Sequence, residues 1–236
     1  MIIQYTKDSK EKLMPSNSPI ILLGMEYLGG RIASIALSEM EVSAEKLAEI
    51  ETHIVETNIP MEQWESHCPE SANILGEPYR FWPICIRDEL TKGLSCRNSK
   101  QAIEVAEQTI PVFDSFFQSS QSKQVIICIN TYEFYGSCMG IEIGKCAINN
   151  GKEVTFALFH AGPLKAIHLT RQKNQEATIE AINKITQEEQ ANLYLKDLDI
   201  KYLEVTDKTI PEYFHQIERD NIESLKHILY RVIEKN

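Results

Sequence analysis

Two short segments of this sequence have the composition of a phosphate-binding turn. Each follows an apolar run and combines glycines with a cationic or hydroxyl side chain: Gly24, Gly29, Gly30 and Arg31 in the first segment, and Gly136, Ser137 and Gly140 in the second. Glycine lets a backbone approach a phosphate closely, and the first N–H groups of a following helix attract it with a partial positive charge. A tight strand-to-helix turn also requires glycine, and more commonly, so each segment alone leaves both interpretations open.

Histidine and cysteine provide no second candidate centre in the sequence. His67, Cys68, His160 and His168 lack the spacing of metal ligands and a visible third partner, which favours surface or core positions. The six cysteines form no Cys-x-x-Cys pair, and several lie in apolar patterns typical of reduced core thiols. The sequence contains neither a nucleophile elbow nor a phosphate-loop lysine. We therefore expect no metal and no catalytic residue.

The charge and hydropathy of the chain exclude several classes of partner. Its 236 residues carry a formal net charge of −10, without a basic stripe that could release counterions from nucleic acid. No apolar run approaches the roughly 20 residues that cross a bilayer, and the N-terminus lacks the pattern of a signal peptide. We expect a cytoplasmic protein that binds small molecules or other proteins, with no nucleic acid and no membrane span.

Strand-like and helix-like segments alternate along most of the chain. Apolar runs typical of buried parallel strands lie at 20–24, 53–56, 124–130, 153–159 and 200–205. Helical spacing of apolar residues covers 29–40, 44–51, 88–92, 99–117, 141–149, 172–192 and 212–233. Ser43 has the character of a helix N-cap, and the stretch 60–83 predicts an irregular excursion. This alternation predicts one α/β domain over 1–236, with a mostly parallel sheet and helices on both faces.

The order of these pieces resembles the Rossmann-like GTPase domain of the tubulin and FtsZ family. Residues 21–31, Ile-Leu-Leu-Gly-Met-Glu-Tyr-Leu-Gly-Gly-Arg, are similar to the family's first phosphate loop. Residues 54–58, Ile-Val-Glu-Thr-Asn, resemble the end of its second strand, and 89–94, Glu-Leu-Thr-Lys-Gly-Leu, resemble the run before its third loop. Residues 134–140 stand in the place of the glycine-rich tubulin signature. The resemblance covers about 19–233, in order.

The resemblance implies a ligand and a set of residues that bind it. The ligand would be GTP or GDP, held at the carboxyl edge of the sheet. Its binding residues would be Gly24, Gly29, Gly30, Arg31, Asn58, Asn98, Gly136, Ser137, Gly140, Arg171, Asp220 and Asn221. Arg171 falls where the family has an arginine near the nucleotide. Asp220 and Asn221 fall near the family's guanine-reading acid.

The sequence departs from the family where phosphate and ribose would be held. Phe134, Tyr135, Cys138 and Met139 replace three glycines and a hydroxyl residue of the family's signature. Tyr27 and Leu28 replace small residues of its first loop, and Ile167 replaces a glutamate that contacts the ribose. Side chains at such points add Cβ atoms where the backbone must touch phosphate, so we expect the standard triphosphate pose to be blocked. The family continues into a C-terminal activation domain after the central helix, and we expect that domain to be absent here.

Three functions follow from these observations. The first is a degenerate, non-hydrolysing tubulin/FtsZ-like protein of the cytoskeleton or of cell division. It would dock onto a filament, a tubulin-like partner or a second copy as a cap, inhibitor or adaptor. The second is a functional GTP- or GDP-binding protein with a weak GTPase activity on self-assembly. The third is an unrelated small-molecule or redox role on the same fold.

Overall fold

A computed structural model describes residues 19–56, 80–83, 99–131, 133–159, 169–188, 191–195 and 210–235. The predicted helix at 88–92 and the predicted strand at 200–205 lie outside these residues, as do Asn58 and Asn98. The side chain of Arg171 is also outside the description, although its backbone lies in a helix.

The strands of the described residues form one parallel sheet. They are β1 (Ile20–Met25), β2 (Ile50–Glu56), β3 (Arg80–Pro83), β4 (Gln124–Asn130), β5 (Glu153–Phe159) and β6 (Ala191–Leu195). Their order across the sheet is β3-β2-β1-β4-β5-β6, and every neighbouring pair is parallel. All residues of β1 are buried, as expected of a strand covered on both faces.

Helices cover both faces of this sheet. They are α1 (Glu26–Ser38), α2 (Ala44–Leu47), α3 (Ser99–Ser119), α4 (Phe134–Asn149), α5 (Leu169–Glu188) and α6 (Ile210–Lys235). Ile21 and Leu23 of β1 face a core built with α3, α4 and α5, whereas Ile20 and Leu22 face a core built with α1 and α6. The alternation follows from the two-residue period of a strand. The predicted fold class is confirmed.

Several predicted boundaries are wrong because strand pairing overrides local helical spacing. The predicted helix 44–51 ends at Leu47, and β2 begins at Ile50, where it pairs with Ile20. Ser43 does cap the short helix, because its Oγ accepts a hydrogen bond from the Lys46 N–H. Residues 191–195 form the edge strand β6 beside β5, not the end of the predicted helix 172–192.

Two further differences concern segments predicted to be irregular. Arg80–Pro83, inside the predicted excursion 60–83, forms the edge strand β3 in register with 53–56 of β2. Helix α4 begins at Phe134 instead of 141, so the second glycine-bearing segment lies in a helix rather than a loop. Glycines at 136, 140 and 144 recur every four residues and lie on one face of α4.

The strand order places a topological switch point between β1 and β4. From β1 the chain moves outward to β2 and β3 on one side, and from β4 to β5 and β6 on the other. Ligands of such sheets bind in the crevice that this reversal opens at the carboxyl ends of the strands. Helix α1 begins directly after β1, and α4 begins four residues after β4. Both glycine-bearing segments therefore meet at this crevice.

Candidate functional site

The switch-point crevice is bounded by the first turns of α1 and α4. Met25 ends β1 and precedes α1, while Glu133 precedes α4. Both of these N-cap residues have an extended backbone, and neither side chain caps its own helix. The first N–H groups of a helix need acceptors from outside the helix, so the two helix ends together could receive anionic oxygens.

The glycines of the first segment bring α1 into direct contact with the sheet. A Cβ on Gly24 would lie 2.6 Å from the Gly30 Cα, and a Cβ on Gly29 would lie 2.5 Å from the Cys128 carbonyl oxygen. Both separations are too short for real atoms, so neither position can carry a side chain without moving backbone. Gly24, Gly29 and Gly30 are thus together in the structure, at a helix–sheet contact.

The glycines of α4 serve a similar packing role against β4 and β5. A Cβ on Gly140 would lie 2.5 Å from the Ile129 Cδ1, and one on Gly144 would lie 2.4 Å from the Phe156 ring. Gly144 was not predicted as a special position, although its four-residue spacing from Gly140 was visible in the sequence. Gly136 is less confined, because its nearest neighbour would be the Glu26 Cγ at 3.3 Å.

The hydroxyl of Ser137 lies inside a buried polar network. Ser137 is 1% exposed, and its Oγ accepts a hydrogen bond of 3.3 Å from the Asn174 side chain. The same Asn174 amide donates to the Thr131 carbonyl oxygen at 2.7 Å. This network joins the end of β4 to α4 and α5. Asn174 was missed by the sequence reasoning, because a single asparagine within a polar helix carries no distinctive signal.

Two carboxylic acids, Glu26 and Glu133, lie at the crevice. Glu26 is 3% exposed, and its φ of 55° lies in the left-handed region, which costs an ordinary residue about 1–3 kcal/mol. The Oε1 of Glu133 accepts a hydrogen bond of 3.4 Å from the N–H of Leu28, in the first turn of α1. Neither acid was predicted as a site residue. The available signal was an acidic residue within the first glycine-bearing segment.

The predicted cationic contact of Arg31 is directed toward α6. Its Nε donates to the Oε1 of Glu218 at 2.6 Å, and the side chain is 22% exposed. Arg171 lies in the first turn of α5. The roles of Arg31 and Arg171 in binding an anion remain predictions.

The two predicted base-reading residues differ in their surroundings. Asp220 is half-buried and accepts a hydrogen bond of 2.9 Å from the Gln216 amide on the same helix. Asn221 is 2% exposed, between the buried Ile217 and Leu225 on the inner face of α6. Within the described ranges no donor reaches its Oδ1. An unpaired amide oxygen in a protein interior is uncommon and needs an explanation.

The thiol of Cys128 lies on β4 beside the first glycine-bearing segment. Burial raises the pKa of Cys128 well above its ordinary value, and the negative charge of Glu133 raises it further. The thiol therefore stays protonated at neutral pH. In the part of the chain that is described, no group of three or more acidic, histidine or cysteine side chains could hold a metal ion. No described helix is both long and apolar enough to span a bilayer.

Known proteins provide a fold-level comparison. No protein-family model matches the sequence, and a search of curated proteins found no significant match. Solved structures do match. An FtsZ mutant from M. jannaschii aligns with a TM-score of 0.63 at 15% identity, over 90% of this chain and 56% of its own. TubZ of Clostridium botulinum phage c-st gives 0.53 at 17% identity, over 84% of this chain and 57% of its own.

A third match widens the set of organisms. CetZ from Methanosaeta thermophila aligns with a TM-score of 0.62 at 11% identity, over 90% of this chain and 54% of its own. The chain thus spans a little over half the length of the structures that it matches. At these identities the likeness concerns the fold and not the chemistry of the site. Its parallel sheet, its helices and these matches together show that the chain has the fold of the tubulin/FtsZ superfamily.

Proposed function

We propose that this chain is a degenerate tubulin/FtsZ-like protein that does not hydrolyse nucleotide. It acts in the cytoplasm by docking onto a filament, a tubulin-like partner or a second copy, as a cap, inhibitor or adaptor. One observation carries the proposal: the groups that would meet a phosphate are already used inside the protein. Ser137 is buried against Asn174, and Gly24 and Gly29 are closed by backbone contacts.

The buried position of Ser137 argues against a triphosphate pose. To contact a ligand, its hydroxyl would have to leave the hydrogen bond with Asn174 and emerge from the core. Leaving a buried donor unpaired costs about 1–3 kcal/mol, and a ligand would have to offset this before any gain. The close packing of α1 against Cys128 leaves no room for a Cβ at Gly29, so this glycine has a packing role that does not depend on a ligand.

A docking role fits a tubulin-like fold without a working nucleotide site. One of the similar structures is described as an FtsZ dimer, so in that protein two chains of this fold associate. That structure is also described as empty, so in it the association is present without a ligand. The net charge of −10 leaves other proteins as the more suitable partners, since nucleic acid and anionic lipid would be repelled.

Co-sedimentation with FtsZ filaments tests this proposal. The full chain is mixed with assembling FtsZ and GTP, and its amount in the pellet, the light scattering and the released phosphate are measured. We expect the chain to pellet with filaments or to change their assembly, and to release no phosphate when incubated alone with GTP. A chain that stays in the supernatant at every ratio, and leaves assembly unchanged, contradicts the docking role.

A guanine-nucleotide-binding protein with weak GTPase activity is the second candidate, and Asn221 favours it. The Oδ1 of Asn221 is buried on α6 without a donor among the described residues. A nucleobase N–H would satisfy this acceptor and recover the energy that its burial costs. We therefore titrate the protein with fluorescent GDP and GTP, using Asn221→Leu as a variant of similar volume. Binding that this substitution abolishes supports the candidate, and no binding to either protein excludes it.

A further inference from the structure

We propose that the switch-point crevice is closed from within by Glu26 and Glu133, whose carboxylates keep anionic ligands out. This inference rests on the proposed function, because it explains why the site of a tubulin-like fold does not take nucleotide. The exclusion of nucleotide would then be a property of this chain's own side chains. The crevice would then regain affinity for phosphate groups when the two charges are removed.

The first step concerns the helix donor that Glu133 occupies. Leu28 is the third residue of α1, so its N–H is one of the four that lack an acceptor within the helix. The Glu133 Oε1 accepts from this N–H at 3.4 Å, across 105 positions of sequence. A carboxylate of the protein thus binds where a phosphate oxygen would be received.

The second step concerns the position of Glu26. Its Cγ lies 3.3 Å from the point where a Cβ of Gly136 would stand, and the Glu133 Cβ lies 3.6 Å from the same point. The stems of both acids therefore flank the first turn of α4. Glu26 is 3% exposed, so its side chain is enclosed by protein and does not extend into solvent. Both helix ends of the switch point are covered in this way.

The third step concerns the backbone of Glu26. Its φ of 55° is a conformation that glycine adopts freely and other residues rarely adopt. Glycine at this position would leave the backbone unchanged, without the carboxylate. The side chain is thus held in the crevice despite its conformational cost. In a partly buried site, two negative charges repel an incoming anion more strongly than they would in water.

Binding of inorganic pyrophosphate to charge-reduced variants tests the inference. The variants are Glu26→Gly, Glu133→Gln and the double substitution, and isothermal titration calorimetry measures the affinity. We expect no binding to the natural chain below about 1 mM pyrophosphate, and a gain of about tenfold or more for each carboxylate removed. Glu133→Gln keeps an oxygen that can accept from Leu28, so it isolates the effect of charge.

Glu142→Gln serves as the matched control. Glu142 lies on α4 and pairs with Lys145 at 2.7 Å, so this substitution changes the net charge equally but away from the crevice. Thermal unfolding of each variant confirms that it is folded. The inference is overturned if folded Glu133→Gln and the double variant bind pyrophosphate no better than Glu142→Gln. It is also overturned if the natural chain itself binds tightly.

Filament co-sedimentation of the same variants separates this inference from the proposed function. Docking that persists in the double variant, together with gained pyrophosphate affinity, supports both. A natural chain that never docks contradicts the proposed function alone, because the gain of pyrophosphate affinity is measured without any partner.

Discussion

Polar side chains have different roles at the end of the sheet where its strands begin, the amino edge, and at the end where they finish, the carboxyl edge. At the amino edge, Asn150 donates to the Asp114 carboxylate at 2.9 Å, and Lys152 donates to the carbonyl oxygens of Ser120 and Ser122 at 2.9 Å each. These contacts close the ends of α3 and α4. At the carboxyl edge, Glu26 is buried in a strained conformation and Glu133 reaches into another helix.

The contacts at the amino edge stabilise the fold, whereas the carboxyl edge has features that stability alone does not explain. The amino edge places its one described left-handed residue at Gly151, with φ of 72°, where such a conformation is inexpensive. At the carboxyl edge, the residue with a left-handed backbone is Glu26, for which this conformation is costly. Local rules are broken mainly at functional sites, which makes the carboxyl edge the informative one.

The largest expected effect tests whether the carboxyl-edge glycines are there for packing. Gly29→Ala places a methyl group 2.5 Å from the Cys128 carbonyl oxygen, so α1 must move away from the sheet. We expect a loss of about 3 kcal/mol in the free energy of unfolding, at the upper end of overpacking substitutions. Urea denaturation followed by circular dichroism measures it.

Gly136→Ala is the control for this prediction. Its methyl group would meet the Glu26 Cγ at 3.3 Å, the Met25 carbonyl oxygen at 3.5 Å and the Glu133 Cβ at 3.6 Å, none of them as close as the contact at Gly29. Alanine favours the helix by up to about 1 kcal/mol over glycine. We expect a change within about 1 kcal/mol of the natural chain. Equal and small effects at the two positions would show that the close contact at Gly29 does not determine stability.

The fold could be predicted from sequence where the apolar run and the hydrophobic periodicity indicate the same element. The bounds of β4 and β5 match their predictions because each contains an apolar run, at 125–129 and 156–159, that is typical of a buried parallel strand. Strand β6 was missed because Ala191–Leu195 becomes a strand only through its pairing with β5. Such pairing is a tertiary effect and leaves no local signal.

The site was less predictable than the fold. The glycines of both segments were found, but the sequence could not distinguish a phosphate loop from a helix that lies close to a sheet. The structure shows which of these glycines pack closely, such as Gly29 against Cys128, through contacts that exist only after folding. Glu26 was not predicted because it is buried beside Gly136 of α4, which is more than 100 positions away in the sequence.

A pair of opposite substitutions sharpens the comparison between the edges. Glu26→Gly relieves a left-handed backbone at the carboxyl edge, whereas Gly151→Ala imposes one at the amino edge. We expect the first to be stabilising by about 0.5 kcal/mol, since glycine's extra unfolded-state entropy offsets part of the relief. We expect the second to be destabilising by about 1 kcal/mol.

Denaturant midpoints of both variants, measured beside the natural chain, provide the test. Chain neighbours aside, no atom of the described residues lies within 4 Å of the Cβ that Gly151→Ala would add, so a loss of stability there reports the strained backbone. A destabilised Glu26→Gly would mean that the carboxylate contributes more through its contacts than its conformation costs. The carboxyl edge would then be a stabilised region like the amino edge.

The smallest expected effect is the pH dependence of stability at the amino edge. Burial, with the nearby Asp114 carboxylate, raises the pKa of Cys146 from 9.0 to about 11. The unfolded chain therefore releases this proton at lower pH than the folded chain. The contribution of Cys146 to the free energy of unfolding is fully present below about pH 9 and is lost between pH 9 and about 11.

Replacement by serine, Cys146→Ser, removes this thiol's titration and should make the decline of unfolding free energy shallower in that window. Lysines and tyrosines titrate there too, so the measurement is the difference in slope between the two proteins. Identical slopes would show that Cys146 titrates alike in both states, and that the amino-edge cluster does not bury its thiol.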